Sequence, residues 1–177
     1  MPSGRTHDAI TIFVAAPVFA AAFAVTSSLR FSAIVTASFL FGGLMFGPDL
    51  DTASLQYSRW GPLRFLWFSY RSFFKHRSRF SHGLVFGALF RVVYFMGVVS
   101  IAAFGVIYAV TGLYGESLPG VIELARSWSV IGEYTRGYIG EYSFAAFFVG
   151  TWLGAASHTF TDIACSYIKT GRVSDFL

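Results

Sequence analysis

Charged side chains are scarce in this sequence. Only 12% of the 177 residues are charged, whereas 55% are hydrophobic and 19% are aromatic. A soluble domain usually carries about 25% charged residues, so the deficit argues against a soluble globular protein. The composition instead favours a chain that spends much of its length in a lipid bilayer.

Cysteine is almost absent as well, because Cys165 is the single one in the chain. A lone cysteine excludes an internal disulfide framework, and we expect Cys165 to be a small apolar residue near a helix end. A cleavable signal peptide is also disfavoured. The first apolar run continues through residues 27–30 straight into a second run, which is typical of a hairpin of two spans.

What the sequence does contain is long apolar runs, several of them near the roughly 20 residues that a membrane span needs. They cover residues 9–25, 31–47, 83–111 and 143–163. We therefore predict an all-α fold, a single domain over residues 1–177 in which four transmembrane helices form a bundle. Thr6 or Asp8 is expected to cap the first helix, and Gly42, Gly43 and Gly47 should let a neighbouring helix approach closely.

The segment between the second and third spans, residues 52–79, alternates aromatic with basic side chains. It predicts an amphipathic interfacial helix in contact with membrane lipid. Such a pattern can also stack on single-stranded nucleic acid, but the flanking spans favour lipid, and no nucleic-acid partner is expected. Arg91, near the start of the third span, should either reach the interface or pair with an acid.

The distribution of charge predicts the topology of the chain. With four spans, residues 1–8, 48–82 and the C-terminal tail share one face, and the polar connector 114–142 lies on the other. Of the 13 Lys and Arg residues, only Arg30, Arg126 and Arg136 fall on the connector side. Because basic residues concentrate on the cytoplasmic side of membranes, we expect both termini in the cytoplasm. Within the connector, residues 120–132 are expected to form a short helix.

All four histidines and all five aspartates lie on the predicted cytoplasmic face. Asp49 and Asp51 alternate along the chain, and Asp162 follows His158 by four residues, so each pair can point in one direction. Imidazole and carboxylate together suit Zn, Mn or Fe. A metal site is therefore predicted, and a hydrogen-bonded polar lock between helices is the alternative. The residues that can converge there are His7, Asp8, Asp49, Asp51, His76, His82, His158 and Asp162.

Four stretches of the sequence carry a resemblance to a known family. They are residues 3–8 (SGRTHD), 43–51 (GLMFGPDLD), 76–83 (HRSRFSHG) and 157–162 (SHTFTD). Together they resemble a bacterial family of uncharacterised metal-binding membrane proteins of the inner membrane, related to the YdjM-like group of membrane-bound metal-dependent hydrolases. The spacing H-R-x-x-x-S-H within residues 76–82 is the most specific part of the likeness.

The resemblance implies a bound divalent metal and a set of residues around it. The implied metal ligands are His7, Asp49, Asp51, His82, His158 and Asp162. His76 is implied either as a ligand or as a partner of one, with Asp8 also near the metal, and Arg77 and Ser81 are implied to position an anionic substrate. Zinc is the metal expected first, with manganese and iron as alternatives. Asp49 and Asp51 are the expected catalytic carboxylates.

Three functional hypotheses follow from these expectations. The first is a metal-dependent hydrolase at the cytoplasmic face of the membrane, acting on a phospholipid or another amphiphile, with Arg64, Arg77 and Arg79 available to hold a phosphate. The second is a non-enzymatic protein that stores, senses or delivers a divalent cation. Transport is less favoured, because the middles of three predicted spans offer almost no ionisable residue. A scaffold locked by polar contacts is the third reading.

Overall fold

The computed structural model describes residues 3–73, 83, 86–114, 117 and 119–171. Within these residues the protein is all-α, as predicted. Seven α-helices are described: α1 Gly4–Thr26, α2 Leu29–Leu44, α3 Leu55–Arg59, α4 Phe68–Phe73, α5 Phe86–Leu113, α6 Val121–Ile139 and α7 Ser143–Thr170. Two 3-10 helices, Pro48–Asp51 and Gly61–Trp67, lie between α2 and α4.

The hairpin of α1 and α2 begins earlier than the sequence indicated. Ser3 caps α1, because its hydroxyl accepts a hydrogen bond from the backbone N–H of Thr6. The prediction that Thr6 or Asp8 caps this helix was therefore wrong, since both residues lie inside it. Ser27 turns the chain in the left-handed conformation, with φ 51°, and Ser28 then caps α2.

Helix α2 packs tightly between α1 and α7 through small residues, as the glycines of its C-terminal half predicted. A Cβ atom added to Gly42 would overlap the carbonyl oxygen of Thr151 on α7. One added to Gly154 would overlap the carbonyl oxygen of Phe39 on α2, and one at Gly43 would lie 2.8 Å from the hydroxyl oxygen of Thr11 on α1. Such close backbone approach gives dense van der Waals packing between helices, and it brings the polar residues of α1 and α7 together.

Residues 52–73 form short helical pieces where one amphipathic helix was predicted. The break falls at Gly61, which has φ +52°, and at Pro62, which cannot donate a backbone hydrogen bond. The pieces are tied to the end of α2, because Trp60 Nε1 donates to the carbonyl oxygen of Met45 and Arg59 donates to that of Leu44. This segment therefore closes over one end of the helix bundle.

An aromatic core fills the space beneath that segment. Trp67 and Tyr70 are fully buried and pack with Phe46, Trp60 and Phe95 of α5. The aromatic side chains of this segment were predicted to lie at the membrane interface, but Trp67 packs inside the protein instead. The aromatic side chains that do remain exposed in this segment are Phe65, Phe68 and Phe73.

Two helices, α1 and α5, are long and apolar enough to cross a membrane by length and composition, and very little of either apolar stretch is buried inside the protein. Helix α2 is also apolar but has only 16 residues. Helix α7 starts at Ser143, as predicted, and extends to Thr170 with a polar face that contains His158 and Asp162. The predicted connector helix is also longer than expected, because α6 covers 19 residues.

Candidate metal centre

Three separate elements bring a small group of histidine and carboxylate side chains together. His7 lies in the first turn of α1, Asp49 in the 3-10 helix that follows α2, and His158 and Asp162 on the C-terminal half of α7. His7, His158 and Asp162 are almost completely buried, with exposed fractions of 5%, 2% and 3%. Burying such groups is unfavourable unless partners or a cation compensate them.

The distances within the group are short. His7 Nε2 lies 3.2 Å from Asp162 Oδ1, and His158 Nε2 lies 3.9 Å from Asp162 Oδ2. The two imidazole rings stack with their centroids 3.7 Å apart and their planes 6° from parallel. Asp162 thus borders both rings, and one nitrogen or oxygen from each of the three residues falls within 4.8 Å of the others.

These residues fit a divalent cation. Among the described residues, His158 Nε2 and Asp162 Oδ1 are buried and accept or donate no hydrogen bond, although native structures rarely leave buried polar atoms without partners. Imidazole nitrogen and carboxylate oxygen are the ligands that zinc, manganese and iron take in proteins. A cation held by His7, His158 and Asp162 would satisfy both atoms at once.

Asp49 is the partly exposed residue of this group. Its carboxylate Oδ2 lies 3.4 Å from His158 Nε2, and its side chain is 27% exposed whereas that of Asp162 is 4% exposed. The hydroxyl groups of Thr52 and Ser54 donate to the Asp49 carbonyl oxygen, at 3.3 and 2.8 Å, and so fix the backbone at this position. Asp49 is therefore the member of the group nearest to solvent.

Gln56 joins the site although nothing in the sequence pointed to it. It is 4% exposed, and its Nε2 lies 3.2 Å from His158 Nδ1 and donates at 2.7 Å to the carbonyl oxygen of Gly43. Gly47 makes room for it, because a Cβ there would overlap the Gln56 carboxamide. The glycine predicted to admit a helix thus admits a side chain that touches a candidate ligand.

Asp51 belongs to a neighbouring charged group. It is 6% exposed, and its charge interacts with Arg91, which is buried and also attracts Asp49. Burial raises the pKa of Tyr70, and the guanidinium of Arg91 opposes that rise. Of the two expectations for Arg91, pairing with acids inside the protein is the one that the structure supports. Asp51 is therefore close enough to Arg91 and Tyr70 for its charge to act on both.

Asp8 makes a different contact from the one that the sequence suggested. Its carboxylate forms a bidentate ion pair with Arg59. Asp8 Oδ1 lies 2.9 Å from Nη1, and Oδ2 accepts from Nη2. This pair ties α1 to α3 beside the candidate site. His76, Arg77, Ser81 and His82 lie outside the described residues.

Comparison with known proteins assigns the chain to a family. Residues 2–172 match the family described as uncharacterized metal-binding protein (DUF2227). No curated protein and no solved structure matches the chain. The family description agrees with the metal-binding prediction made from the histidines and aspartates. Because the match extends over nearly the whole chain, the protein belongs to this family of uncharacterized metal-binding proteins.

Proposed function

We propose that this protein is a membrane-bound, metal-dependent hydrolase. It would hold a divalent cation at the cytoplasmic face of the bilayer, and zinc is the metal that we expect first. The observation that carries the proposal is the buried group of His7, His158 and Asp162. Three of its polar atoms, His7 Nδ1, His158 Nε2 and Asp162 Oδ1, have no hydrogen-bond partner among the described residues. The earlier likeness to membrane-bound metal-dependent hydrolases agrees with it. A divalent cation bound by such ligands supplies Lewis-acid activation of water.

The residues around the group suit hydrolysis. Asp49 lies beside His158 and is partly exposed, so its carboxylate can accept a proton from an incoming water. Asp51, the other expected catalytic carboxylate and metal ligand, is retained as a proposed member of the site, and its charge also acts on Arg91. His82 is retained as a further proposed ligand, with His76, Arg77 and Ser81 nearby in sequence.

The proposed substrate is a phospholipid or another amphiphile. Two exposed aromatic residues, Phe65 and Phe68, follow an exposed arginine, Arg64, on the segment that closes over one end of the bundle. Aromatic rings and arginine favour the headgroup region of a membrane, where arginine can bind phosphate. A hydrolase with its site below such a segment would meet its substrate in the bilayer surface.

Elemental analysis and an activity screen test the proposal together. We expect protein purified in mild detergent to contain about one equivalent of divalent metal, and to hydrolyse a phospholipid or short-chain ester in mixed micelles. Activity should be lost after chelation and restored by zinc. Protein that purifies without metal and takes up none would refute the proposal.

A non-enzymatic cation binder is the second candidate function, and the depth of burial favours it. His7, His158 and Asp162 are each at most 5% exposed, which suits retention of a cation better than turnover of a bulky substrate. Stoichiometric metal in a protein that hydrolyses none of the substrates tested would favour this candidate over the hydrolase.

A further inference from the structure

The side chain of Gln56 occupies a gap between α2 and α7 and contacts both helices. Its Nε2 atom donates to the Gly43 carbonyl oxygen at 2.7 Å and lies 3.2 Å from His158 Nδ1. Because a carbonyl oxygen can only accept, the carboxamide atom that faces Gly43 must be the NH2 group. The hydrogen bond to Gly43 therefore determines the orientation of the amide in this arrangement.

That orientation determines which nitrogen of His158 carries the proton. The second hydrogen of the same NH2 group points to Nδ1, so Nδ1 must accept and can have no hydrogen of its own. The single proton of a neutral imidazole then lies on Nε2, the atom that faces Asp49 Oδ2 at 3.4 Å. This is the tautomer in which Nε2 cannot bind a metal.

A histidine that binds metal through one nitrogen normally donates its other N–H to an acceptor. Gln56 carries an acceptor of this kind that is not used in the observed arrangement. Its Oε1 atom is buried and has no hydrogen-bond partner among the described residues. If the carboxamide turned over, Oε1 would face His158 Nδ1–H, and the hydrogen bond to Gly43 would be given up.

We propose that Gln56 is a positioning residue that switches His158 between a metal-free and a metal-binding tautomer, an inference that rests on the proposed function. When a cation is taken up, one proton leaves Nε2 and one binds Nδ1, so the imidazole keeps its charge. The carboxamide turns at the same time, and its Oε1 accepts the new N–H. The hydrogen bond to Gly43 stabilises the metal-free state and so weakens binding of the cation.

Replacing Gln56 by glutamate tests this role. A carboxylate cannot donate to Nδ1 and can only accept from it, so Gln56→Glu fixes the metal-binding tautomer. We expect this variant to bind Zn²⁺ at least about 10-fold more tightly than the wild-type protein, within the range known for partners of metal ligands. Gln56→Met, which neither donates nor accepts a strong hydrogen bond, should bind on the order of 10–100-fold more weakly than Gln56→Glu.

Ser58→Glu provides the matched control. Ser58 is exposed on the same short helix, so this change adds an equal charge without touching His158, and its affinity for Zn²⁺ should stay within about twofold of wild type. Affinities are measured by competition with a chromophoric chelator in detergent. If Gln56→Glu binds no more tightly than Gln56→Met, or if Ser58→Glu gains as much, the inference is wrong.

The position of the proton can be measured without any metal. Imidazole ¹⁵N NMR of metal-free protein, with His158→Gln as the assignment control, should show an unprotonated Nδ1 in the wild type and Nδ1–H in Gln56→Glu. A protonated Nδ1 in the wild type would overturn the inference, and a merely structural Gln56 would leave the tautomer unchanged on substitution. If the tautomers change as expected but no variant binds metal, the proposed function fails while the control of His158 by Gln56 stands.

Discussion

His158 and Asp162 are the two candidate ligands whose removal should affect metal content most. They lie one helical turn apart on α7 and both are buried. His158 stacks on His7, and the Asp162 carboxylate lies beside both imidazole rings. We expect His158→Ala and Asp162→Ala each to lose most of the bound metal while the protein still inserts in the membrane. Metal content per mole of protein and yield in the membrane fraction are the quantities to measure.

Asp8→Asn is the control for these two substitutions. Asp8 is close in sequence to His7, but its carboxylate is engaged by Arg59 on α3, and partly exposed ion pairs add little stability. We expect this variant to keep its metal. Full metal content in His158→Ala and Asp162→Ala would show that the cation is bound elsewhere, whereas loss of both metal and yield would favour the polar lock between helices.

Part of this group of residues can be predicted from the sequence. The spacing of four between His158 and Asp162 indicates a shared helix face, and the order of the apolar segments brings His7 and Asp49 to the same end. Gln56 could not be found in this way, because its contact with His158 spans 102 residues and follows no periodic pattern. Gln56 reaches His158 because α3 packs against the end of α2, and this packing is not apparent from the sequence.

The crossing of α2 and α7 determines whether the candidate ligands meet. A Cβ atom at Gly154 would overlap the carbonyl oxygen of Phe39 and lie 2.6 Å from the backbone nitrogen of Gly43. We expect Gly154→Ala to force the helices apart and to lower the free energy of unfolding by about 1–3 kcal/mol. Because His158 is one turn further along α7, metal affinity should fall with stability.

Gly97→Ala is the matched control for this change. A Cβ at Gly97 on α5 meets no described atom within 4 Å, and alanine is the better helix former by roughly 1 kcal/mol. Thermal unfolding in detergent should therefore give a lower melting temperature for Gly154→Ala than for Gly97→Ala. The metal content of Gly154→Ala should be lower as well. Equal melting temperatures for Gly154→Ala and Gly97→Ala would contradict the close crossing of α2 and α7.

Residues 52–73, which close over one end of the bundle, are proposed to lie at the membrane interface, and this position can be tested by labelling. Arg64 and Phe68 are both exposed on the protein, but we expect only Phe68 to face the acyl chains. In a Cys165→Ala background in membrane vesicles, Arg64→Cys should react quickly with a charged thiol reagent. Phe68→Cys should react slowly with it and quickly with a lipophilic one. Equally fast labelling of both positions by the charged reagent would indicate a solvated loop.

The helices themselves were largely predictable, and the exceptions have local causes. Long apolar runs specified α1, α2, α5 and the start of α7. The Gly-Pro pair that ends the second apolar segment at residues 47–48 recurs at residues 61–62. The alternation of aromatic and basic side chains nevertheless favoured one continuous helix, so the break at residues 61–62 was not predicted. The burial of Trp67 and Tyr70 depends on contacts with α5, which the sequence of the segment alone does not reveal.

For the whole molecule, the site and the topology constrain each other. His7, Asp49 and Asp162 come from three distant parts of the chain and lie within one small group. Wherever the membrane lies, the start of α1, the end of α2 and the late turns of α7 are therefore at the same end of the bundle. We therefore expect the proposed spans to cross the membrane in pairs between these points, with both termini on one side.

The distribution of basic residues predicts that this side is the cytoplasm. Only Arg30, Arg126 and Arg136 of the 13 Lys and Arg residues fall on the opposite side, and cytoplasmic loops carry the excess of positive charge. Alkaline phosphatase, which is active only outside the cytoplasm, should stay inactive when it is fused after Leu177 and become active when it is fused after Gly140. A green fluorescent protein at the same two positions should give the opposite result. Active phosphatase at Leu177 would invert the topology, and it would move the candidate metal centre, with its proposed lipid substrate, to the outer face of the membrane.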